Sequence, residues 1–363
     1  MGYTVLSVAY PLTEVGQDAV GGSEQVLTLL DRALTEAGHR SLVIAAEGSA
    51  VRGKLIPSPA AKGMIDPAIR KNSQKVHQQL IRATLLKHSV DLVHMHSLDF
   101  HCYLPDPDVP TLATLHLPPD WYPSHVFHLK QKNLYLNCVS SSQERACPFS
   151  PLLLPNIPNG VDIPRLHGVC TKRKYVLGLG RICPEKGFHF ALDAAKQART
   201  DFLLAGEVSP YAAHDEYFRE QIVPRLDKRR QFVGRVGFQA KRRLLLGAKC
   251  LLIPSEVQET SSLVAMEALA VGTPVIAFPS GALPEIIDHG RTGYLVSNSR
   301  EMGRAIGWVD KLDPEACRLE ARRRFPAKAM AERYMQVYSR IISQEAAQAE
   351  APRALSATSW LVS

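Results

Sequence analysis

Short apolar runs alternate with longer amphipathic runs from one end of this 363-residue chain to the other. Residues 5–9 are predicted as a strand, and residues 21–38 as a helix with its apolar side chains on one face. Alternating strands and helices are typical of parallel sheets with crossover helices. The pattern therefore predicts an α/β protein, and the proline- and glycine-punctuated residues 50–70 are expected to form a loop.

The chain is long for a single hydrophobic core, and the alternation restarts after residue 173. We predict a first Rossmann-like domain over residues 1–165 and a second over residues 166–340, with a linker at 163–173. The tail, residues 341–363, is expected either to pack back on the first domain or to fray. Two α/β domains that face each other leave a cleft, which is where we expect a ligand to bind.

The net charge of +8 favours anionic ligands or surfaces as partners. Part of the excess lies in three basic clusters, at residues 228–230, 241–243 and 322–324. Such clusters form either solvated helix faces or a surface that rests on acidic lipid. No aromatic residues are interleaved with them, which argues against nucleic acid as a partner.

The seven cysteines are scattered and include no C-x-x-C pair, which predicts reduced thiols and no structural zinc site. We expect no signal segment and no apolar run long enough to cross a bilayer. The predicted location is the cytoplasm. The alternative is peripheral binding to the inner face of the membrane.

Two carboxylates, Glu259 and Glu267, stand eight positions apart around a short hydroxyl-rich turn and a helical run. A strand-like segment, residues 250–253, precedes them. This order places a helix N-terminus at the carboxyl edge of a parallel sheet, where anions bind. Since carboxylates accept hydrogen bonds from sugar hydroxyls and free amides donate to phosphate, the segment predicts a site for a diphosphate-linked sugar.

A second motif, residues 180–187, follows the predicted strand at 175–179 and opens a helix. Arg181 can form paired hydrogen bonds to phosphate oxygens, and Lys186 adds a point charge. Gly180 lets the backbone approach a ligand closely. The alternative is a tight turn with incidental charges. The presence of the Glu259–Glu267 segment in the same chain favours the phosphate-binding interpretation.

In the first half, Gly21 and Gly22 begin a helix, where they either expose amides to an anion or merely accompany capping by Ser23. The pattern is not G-x-G-x-x-G, which disfavours a nicotinamide enzyme. His116 ends the predicted strand 111–115. It can bind a sugar hydroxyl or a leaving phosphate, or it can be a structural histidine.

No metal site is predicted. His94 and His96 alternate along a strand end, and no matching acid completes a site. Asp106 and Asp108 match the D-x-D pattern that holds a metal in one class of sugar transferases, but they sit among prolines and are interpreted as a turn.

Together these motifs resemble the family 4 retaining glycosyltransferases of the GT-B fold, also called glycosyl transferases group 1. The similarity covers roughly residues 4–340 and is most specific in the second half. The matching segments are Gly180-Arg181 with Lys186-Gly187, the Glu259-to-Glu267 spacing, 268–276, Gly281-x-x-x-Glu285-Ile286, 290–296 and, in the first half, Gly21-Gly22, Gly38-His39 and 159–162. The resemblance implies two facing Rossmann-like parallel-sheet domains with a central cleft.

The resemblance also implies roles for single residues. Arg181 and Lys186 would bind the donor diphosphate, Glu259 the hydroxyls of the donor sugar and Glu267 the ribose. His116 would line the reaction centre. Further donor-binding positions implied in this way are Gly22, Gly180, Arg235, Val236, Ser262, Leu263 and Val264.

The implied reaction transfers a sugar from a nucleotide-diphosphate donor to an acceptor hydroxyl, with retained configuration and no metal in the site. The co-substrate would be a UDP-sugar, with a GDP- or ADP-sugar as the alternative; the acceptor is open among saccharides, lipids and small natural products. At 260–262 this chain has Thr-Ser-Ser where the family often has a glycine-containing triplet, which leaves the donor sugar open. The alternatives are a sugar-nucleotide epimerase or phosphorylase on the same fold, and a non-catalytic sugar-nucleotide-binding protein.

Overall fold

The computed structural model describes residues 2–60, 63–168 and 174–350, and the side chains as far as residue 344. The described residues form two lobes, each built on one parallel β-sheet. The predicted α/β class with two parallel sheets is therefore confirmed.

The first lobe contains seven parallel strands. They are β1 Thr4–Val8, β2 Arg40–Ala46, β3 Lys54–Ser58, β4 Leu92–Met95, β5 Thr111–Leu115, β6 Leu134–Cys138 and β7 Leu153–Leu154. Their order across the sheet is β3-β2-β1-β4-β5-β6-β7. The central strands are buried almost throughout, as expected for a parallel sheet covered on both faces.

The second lobe contains six parallel strands. They are β8 Tyr175–Leu179, β9 Asp201–Ala205, β10 Arg230–Gly234, β11 Leu251–Ile253, β12 Val275–Ala277 and β13 Gly293–Leu295. Their order is β10-β9-β8-β11-β12-β13. In both sheets the strand order reverses beside the first strand, and ligands bind at such switch points in open α/β sheets.

Helices connect the strands. They are α1 Gly22–Glu36, α2 Pro67–Lys87, α3 Ser141–Ala146, α4 Ile163–Leu166, α5 Phe188–Gln197, α6 Ala212–Tyr217, α7 Phe238–Gly247, α8 Leu263–Ala270, α9 Leu283–Ile286, α10 Ser299–Ile306, α11 Pro314–Arg324 and α12 Ala327–Glu350. A π-helical turn, Phe218–Ile222, extends α6. Helix α2 begins at Pro67 because Asp66 caps it, accepting a 2.8 Å hydrogen bond from the amide of Ile69.

Two expectations were wrong in detail. The expected loop at 50–70 contains strand β3, in which Pro57 is tolerated because β3 is the edge strand of its sheet. Helix α11 was not predicted, because its buried face carries Cys317, Glu320 and Ala321 instead of large apolar residues. Of the predicted linker, residues 163–166 form α4, and residues 169–173 lie outside the described residues.

The last helix, α12, returns from the second lobe to the first. Its start is held by backbone hydrogen bonds of 2.8 and 2.9 Å that join Val161 to Phe325 and Ala327. Farther along, Tyr338 binds His94 of β4 through a 2.7 Å contact between the hydroxyl and Nδ1. Residues 341–350 continue this helix, and residues 351–363 lie outside the described residues, so the domain boundaries remain predictions.

Candidate active site

The two lobes meet where the carboxyl ends of their strands face each other. Thr260 of the second lobe donates a 2.8 Å hydrogen bond to the backbone carbonyl of His116, which follows β5. The amide of Phe238, at the start of α7, donates to Asp18 of the first lobe over 2.6 Å. These contacts bring the predicted residues of both lobes to one cleft.

Glu259 and Lys186 form the first ion pair of the site. Lys186 Nζ lies 2.6 Å from Glu259 Oε1, and Glu259 is buried. Ser255 also donates to the same carboxylate oxygen. Among the described residues no side chain donates to the other oxygen, Oε2, which can therefore accept from a further donor.

Two glycines hold these residues in place. Gly187, just after Lys186, has φ +61°, and a Cβ there would lie 2.3 Å from the carbonyl oxygen of Pro254. Gly281 has φ +55°, and a Cβ there would lie 2.2 Å from the carbonyl oxygen of Glu259. Both positions therefore require glycine for the loops that carry the ion pair to pack. The backbone of Glu259 therefore fills the space beside Gly281.

Glu267 and Lys241 form a second, more deeply buried pair. Lys241 Nζ lies 2.6 Å from Glu267 Oε1, and these side chains are only 11% and 6% exposed. Lys241 also reaches Gln25 of α1 across the cleft over 3.3 Å. Glu267 Oε2 is buried and has no hydrogen-bond partner among the described residues, which leaves it free to accept from a ligand.

Helix α8 starts without a cap between the two ion pairs. Ser262 makes no side-chain capping bond, and within the described chain the amides of Leu263 and Val264 have no backbone acceptor. A Cβ added to Gly22, the first residue of α1, would lie 3.7 Å from Leu263 Cδ1. The N-termini of α1 and α8 therefore approach each other across the cleft, and α8 offers free amides to an anion.

Four further predicted residues share a small cavity of about 50 Å³. Gly180, Arg235, Val236 and Val264 line it together with residues 17–20 and Gln25 of the first lobe. Arg235 is about half exposed and lies 3.6 Å from Glu207. The cavity lies between Val264 in the first turn of α8 and Arg235 and Val236, which follow β10.

Arg181 differs from the other cations of the site. It is partly buried, and no ion pair holds its guanidinium among the described residues. It follows Gly180 directly at the end of β8, on the loop that carries Lys186. An unengaged guanidinium at this edge is suited to a phosphate, which it can bind through two parallel hydrogen bonds.

His116 lies in a group of three histidines. Its Nε2 is 3.1 Å from Nδ1 of His96, and the His96 ring lies 3.8 Å from that of His94. Burial lowers the pKa of His116 to about 3 and holds the pKa values of His94 and His96 well below their usual range. His94 is bound on both ring nitrogens, by Tyr338 and Thr114, so it is structural. At neutral pH the ring of His116 is therefore uncharged, and it can donate or accept a hydrogen bond.

Two family models match the chain. The model for glycosyl transferases group 1 matches residues 173–309, and the model for glycosyltransferase family 4 matches residues 20–148. Each match covers one lobe. The chain belongs to the family 4, group 1 glycosyltransferases.

Named glycosyltransferases resemble this family 4 member in sequence over part of its length. The phosphatidyl-myo-inositol mannosyltransferase of Mycobacterium leprae is 29% identical over 204 residues, which are 51% of this chain and 53% of that protein. A glycogen synthase of Mycobacterium tuberculosis is 28% identical over 207 residues, 53% of this chain and 49% of that protein. The aligned region thus spans about half the length of the curated relatives.

Solved structures show the same fold across nearly the whole family 4 chain. Sucrose-phosphate synthase from Thermosynechococcus elongatus superposes with a TM-score of 0.77 at 19% identity, covering 94% of this chain and 100% of that one. Anabaena Alr3699/HepE in complex with UDP and glucose gives a TM-score of 0.68 at 17% identity, covering 93% and 100%. The GT-B fold expected from the resemblance is therefore confirmed.

Sequence reasoning missed several residues of this site. Lys241 was counted with a basic cluster, yet it is buried against Glu267. Thr260, Asp18 and Gln25 carry the contacts between the lobes and have no local pattern that would mark them. Contacts between distant segments of the chain leave no fixed spacing in the sequence.

The other basic clusters are largely paired with acids. Arg229 lies 2.6 Å from Asp201, and Arg323 lies 2.7 Å from Glu320, while Arg322 is paired with Glu315. Residues 322–324 lie on α11 and fit the interpretation as a solvated helix face. Residues 228–230 lie in the turn before β10 and at its first residue, so a helix face is wrong for this cluster. In the part of the chain that is described, no helix combines the length and the apolar character that crossing a bilayer requires.

One group of side chains has the spacing to hold a metal ion, although no metal site is expected from the sequence. Donor atoms of Cys183, Glu185 and His214 lie within 4.8 Å of one another, beside Arg181. Burial raises the pKa of the Cys183 thiol to about 11, which keeps it protonated and weakens it as a metal ligand. Metal independence stays a prediction.

Proposed function

We propose that this protein is a retaining glycosyltransferase that moves a sugar from a nucleotide-diphosphate donor to an acceptor hydroxyl without a metal in the site. The observation that carries the proposal is the Lys186–Glu259 pair at the uncapped start of α8, facing Gly22 and His116. Cations and free amides suit a diphosphate, and carboxylates suit sugar hydroxyls. The arrangement joins both kinds of group in one cleft.

The leaving diphosphate gains negative charge as its bond to the sugar breaks. Arg181, Lys186 and the amides of Leu263 and Val264 stabilise that charge, because they are fixed in place before the reaction begins. The acceptor hydroxyl attacks from the face that the diphosphate leaves, and the departing phosphate oxygen takes its proton. No carboxylate nucleophile is needed, and configuration at the sugar carbon is retained.

The carboxylates position the donor. The open oxygen of Glu259 accepts a hydroxyl of the donor sugar, and the unpartnered Oε2 of Glu267 accepts a ribose hydroxyl. Arg235 and Val236, which line the small cavity, hold the base through their backbone. Neutral His116 hydrogen-bonds the sugar at the reaction centre.

The lobes must separate to admit the donor. Pockets that enclose small ligands have volumes of about 300–1,000 Å³. The cavity between the lobes measures only about 50 Å³. Donor binding therefore opens contacts such as Asp18–Phe238 and lets the lobes close again around the ligand.

We take a UDP-sugar as the donor, with GDP- and ADP-sugars as the alternatives. The Anabaena neighbour with UDP and glucose bound supports this choice. The acceptor is a hydroxyl compound held by the first lobe. Since the basic clusters are largely paired, contact with acidic membrane gains no support from them.

A donor screen tests the proposal. The protein is incubated with UDP-glucose, UDP-N-acetylglucosamine, GDP-mannose and ADP-glucose, and release of nucleoside diphosphate is followed by chromatography. We expect slow hydrolysis of one donor, with the released sugar first appearing in the donor's own anomeric form by proton NMR. A first product of the opposite anomeric form would rule out retention. No turnover or binding of any donor would rule out the transferase.

A further inference from the structure

The loop that carries His116 is held by one buried side chain of helix α3. Gln143 Nε2 donates hydrogen bonds to the backbone carbonyls on both sides of His116, over 2.7 Å to Leu115 and 2.9 Å to Leu117. The nitrogen of a side-chain amide carries two hydrogens, so both are used. Gln143 therefore fixes the backbone immediately before and immediately after the histidine.

A third contact sets the orientation of the Gln143 amide. Its Oε1 accepts a 2.8 Å hydrogen bond from the backbone amide of Val139, and the residue is only 3% exposed. The opposite orientation would turn the oxygen toward two carbonyl oxygens and the nitrogen toward a backbone amide, and none of these pairs can form a hydrogen bond. The side chain therefore has one allowed orientation, and all three of its polar positions are satisfied.

Other groups hold the remaining sides of the loop. Thr260 of the second lobe donates to the carbonyl of His116 itself, and the hydroxyl of Tyr122 accepts from the amide of Leu117 over 3.3 Å. The ring of His116 lies 3.1 Å from Nδ1 of His96. The position of this ring in the cleft therefore depends on the backbone that these contacts fix.

We infer that Gln143 is a positioning residue of the transfer reaction, which holds His116 where its ring can hydrogen-bond the sugar at the reaction centre. This inference rests on the proposed transferase function and adds a buried residue on which the geometry of that function depends. A hydrogen bond weakens steeply when its angle is lost. A displacement of about 1 Å, caused by a change away from the reacting atoms, can slow a reaction by about 100-fold.

Three variants separate positioning from a general loss of stability. Gln143→Met removes both donors from a side chain of similar length, and Gln143→Glu keeps the acceptor for Val139 but offers at most one hydrogen to the two carbonyls. The second variant decides the test if the first does not fold. Asp31→Asn is the matched control, because Asp31 is a buried residue of the same lobe whose carboxylate accepts three hydrogen bonds from β2 and the turn before β3.

Donor hydrolysis gives kcat and the donor KM of each protein. Each Gln143 variant should lower kcat at least about tenfold and leave the donor KM unchanged, because the second lobe binds the donor. Asp31→Asn should keep the kcat of the unaltered protein. His116→Ala should itself lower kcat, and adding Gln143→Met to it should lower kcat no further, because the two residues act as one unit.

The NMR signal of the His116 ring gives a second measurement that needs no substrate. Its assignment comes from its absence in His116→Ala. The signal should shift in the Gln143 variants and stay in place in Asp31→Asn. If no donor is turned over, the proposed function fails, and the NMR comparison still decides whether Gln143 holds the ring.

Four results would each overturn the inference. They are an unshifted His116 signal in the Gln143 variants, an equal loss of kcat in Asp31→Asn, an unchanged kcat in His116→Ala, and a full further loss of kcat when Gln143→Met is added to His116→Ala.

Discussion

Two buried ion pairs of the second lobe face the cleft, whereas several buried histidines of the first lobe are uncharged. Lys186 pairs with Glu259 and Lys241 with Glu267 in the second lobe, while His116 and His77 are held uncharged by burial in the first. The difference fits the proposed binding of the donor diphosphate by the second lobe, because a diphosphate needs fixed positive charge.

The largest expected effect lies in the buried pair of the second lobe. Lys241→Met should lower the free energy of unfolding by about 3–5 kcal/mol, because it leaves Glu267 buried and unpaired. Urea titration measures the change. Adding Glu267→Gln to Lys241→Met should restore most of the loss. If Lys241→Met alone leaves the free energy of unfolding unchanged, the pair does not stabilise this lobe.

The next effect concerns the chemistry of the same lobe. Arg181→Ala and Lys186→Ala should each reduce kcat/KM with the best donor by about 10²–10³-fold, a loss of about 2.7–4 kcal/mol in transition-state stabilisation. Arg229→Ala is the control, since its ion pair with Asp201 is exposed and lies outside the site. Normal turnover by both site variants would mean that the diphosphate binds elsewhere.

The histidines of the first lobe predict a response to acid. Their folded pKa values lie below the unfolded value of about 6.5, so the unfolded chain binds more protons as the pH falls. For His77, stability should decline between pH 6.5 and about 4 by up to about 1.4 kcal/mol per pH unit. His77→Gln should flatten the slope, while exposed His128→Gln should not. An unchanged slope in His77→Gln would contradict this account of the first lobe.

The smallest expected effect is that of a chelator. EDTA should leave turnover unchanged, because the second lobe supplies its positive charge through Arg181, Lys186 and helix amides. Cys183→Ser, which removes the sulfur of the Cys183–Glu185–His214 group, should also remain active. Loss of activity in EDTA that zinc or manganese restores would show that a metal supplies part of this charge.

Sequence alone located most of the second lobe's site and little of the first lobe's. Glu259 and Glu267 are predicted because one helix N-terminus fixes their spacing, and Arg181 and Lys186 because one strand-to-helix turn carries both. The contacts of the first lobe with the site come from Asp18, Gln25 and His116 on separate segments, so no spacing marks them. The pairing of Lys241 with Glu267 joins helices α7 and α8, and it likewise could not be predicted from the sequence.

The same contrast applies to the fold. Strands with continuous apolar runs, such as β1 and β5, were predicted within one or two residues. Edge strand β3 and helix α11 were missed, because each buries too few large apolar side chains to show a period. Burial by neighbouring elements, not local preference, stabilises them.

Calorimetric titration with UDP tests the central claim most directly, namely that Lys186, Arg181 and the α8 N-terminus bind the donor diphosphate. The account predicts that UDP binds the unaltered protein and Arg229→Ala equally, and binds Lys186→Ala and Arg181→Ala at least about tenfold more weakly, or about 1.4 kcal/mol. Equal affinity for UDP in all four proteins would contradict it.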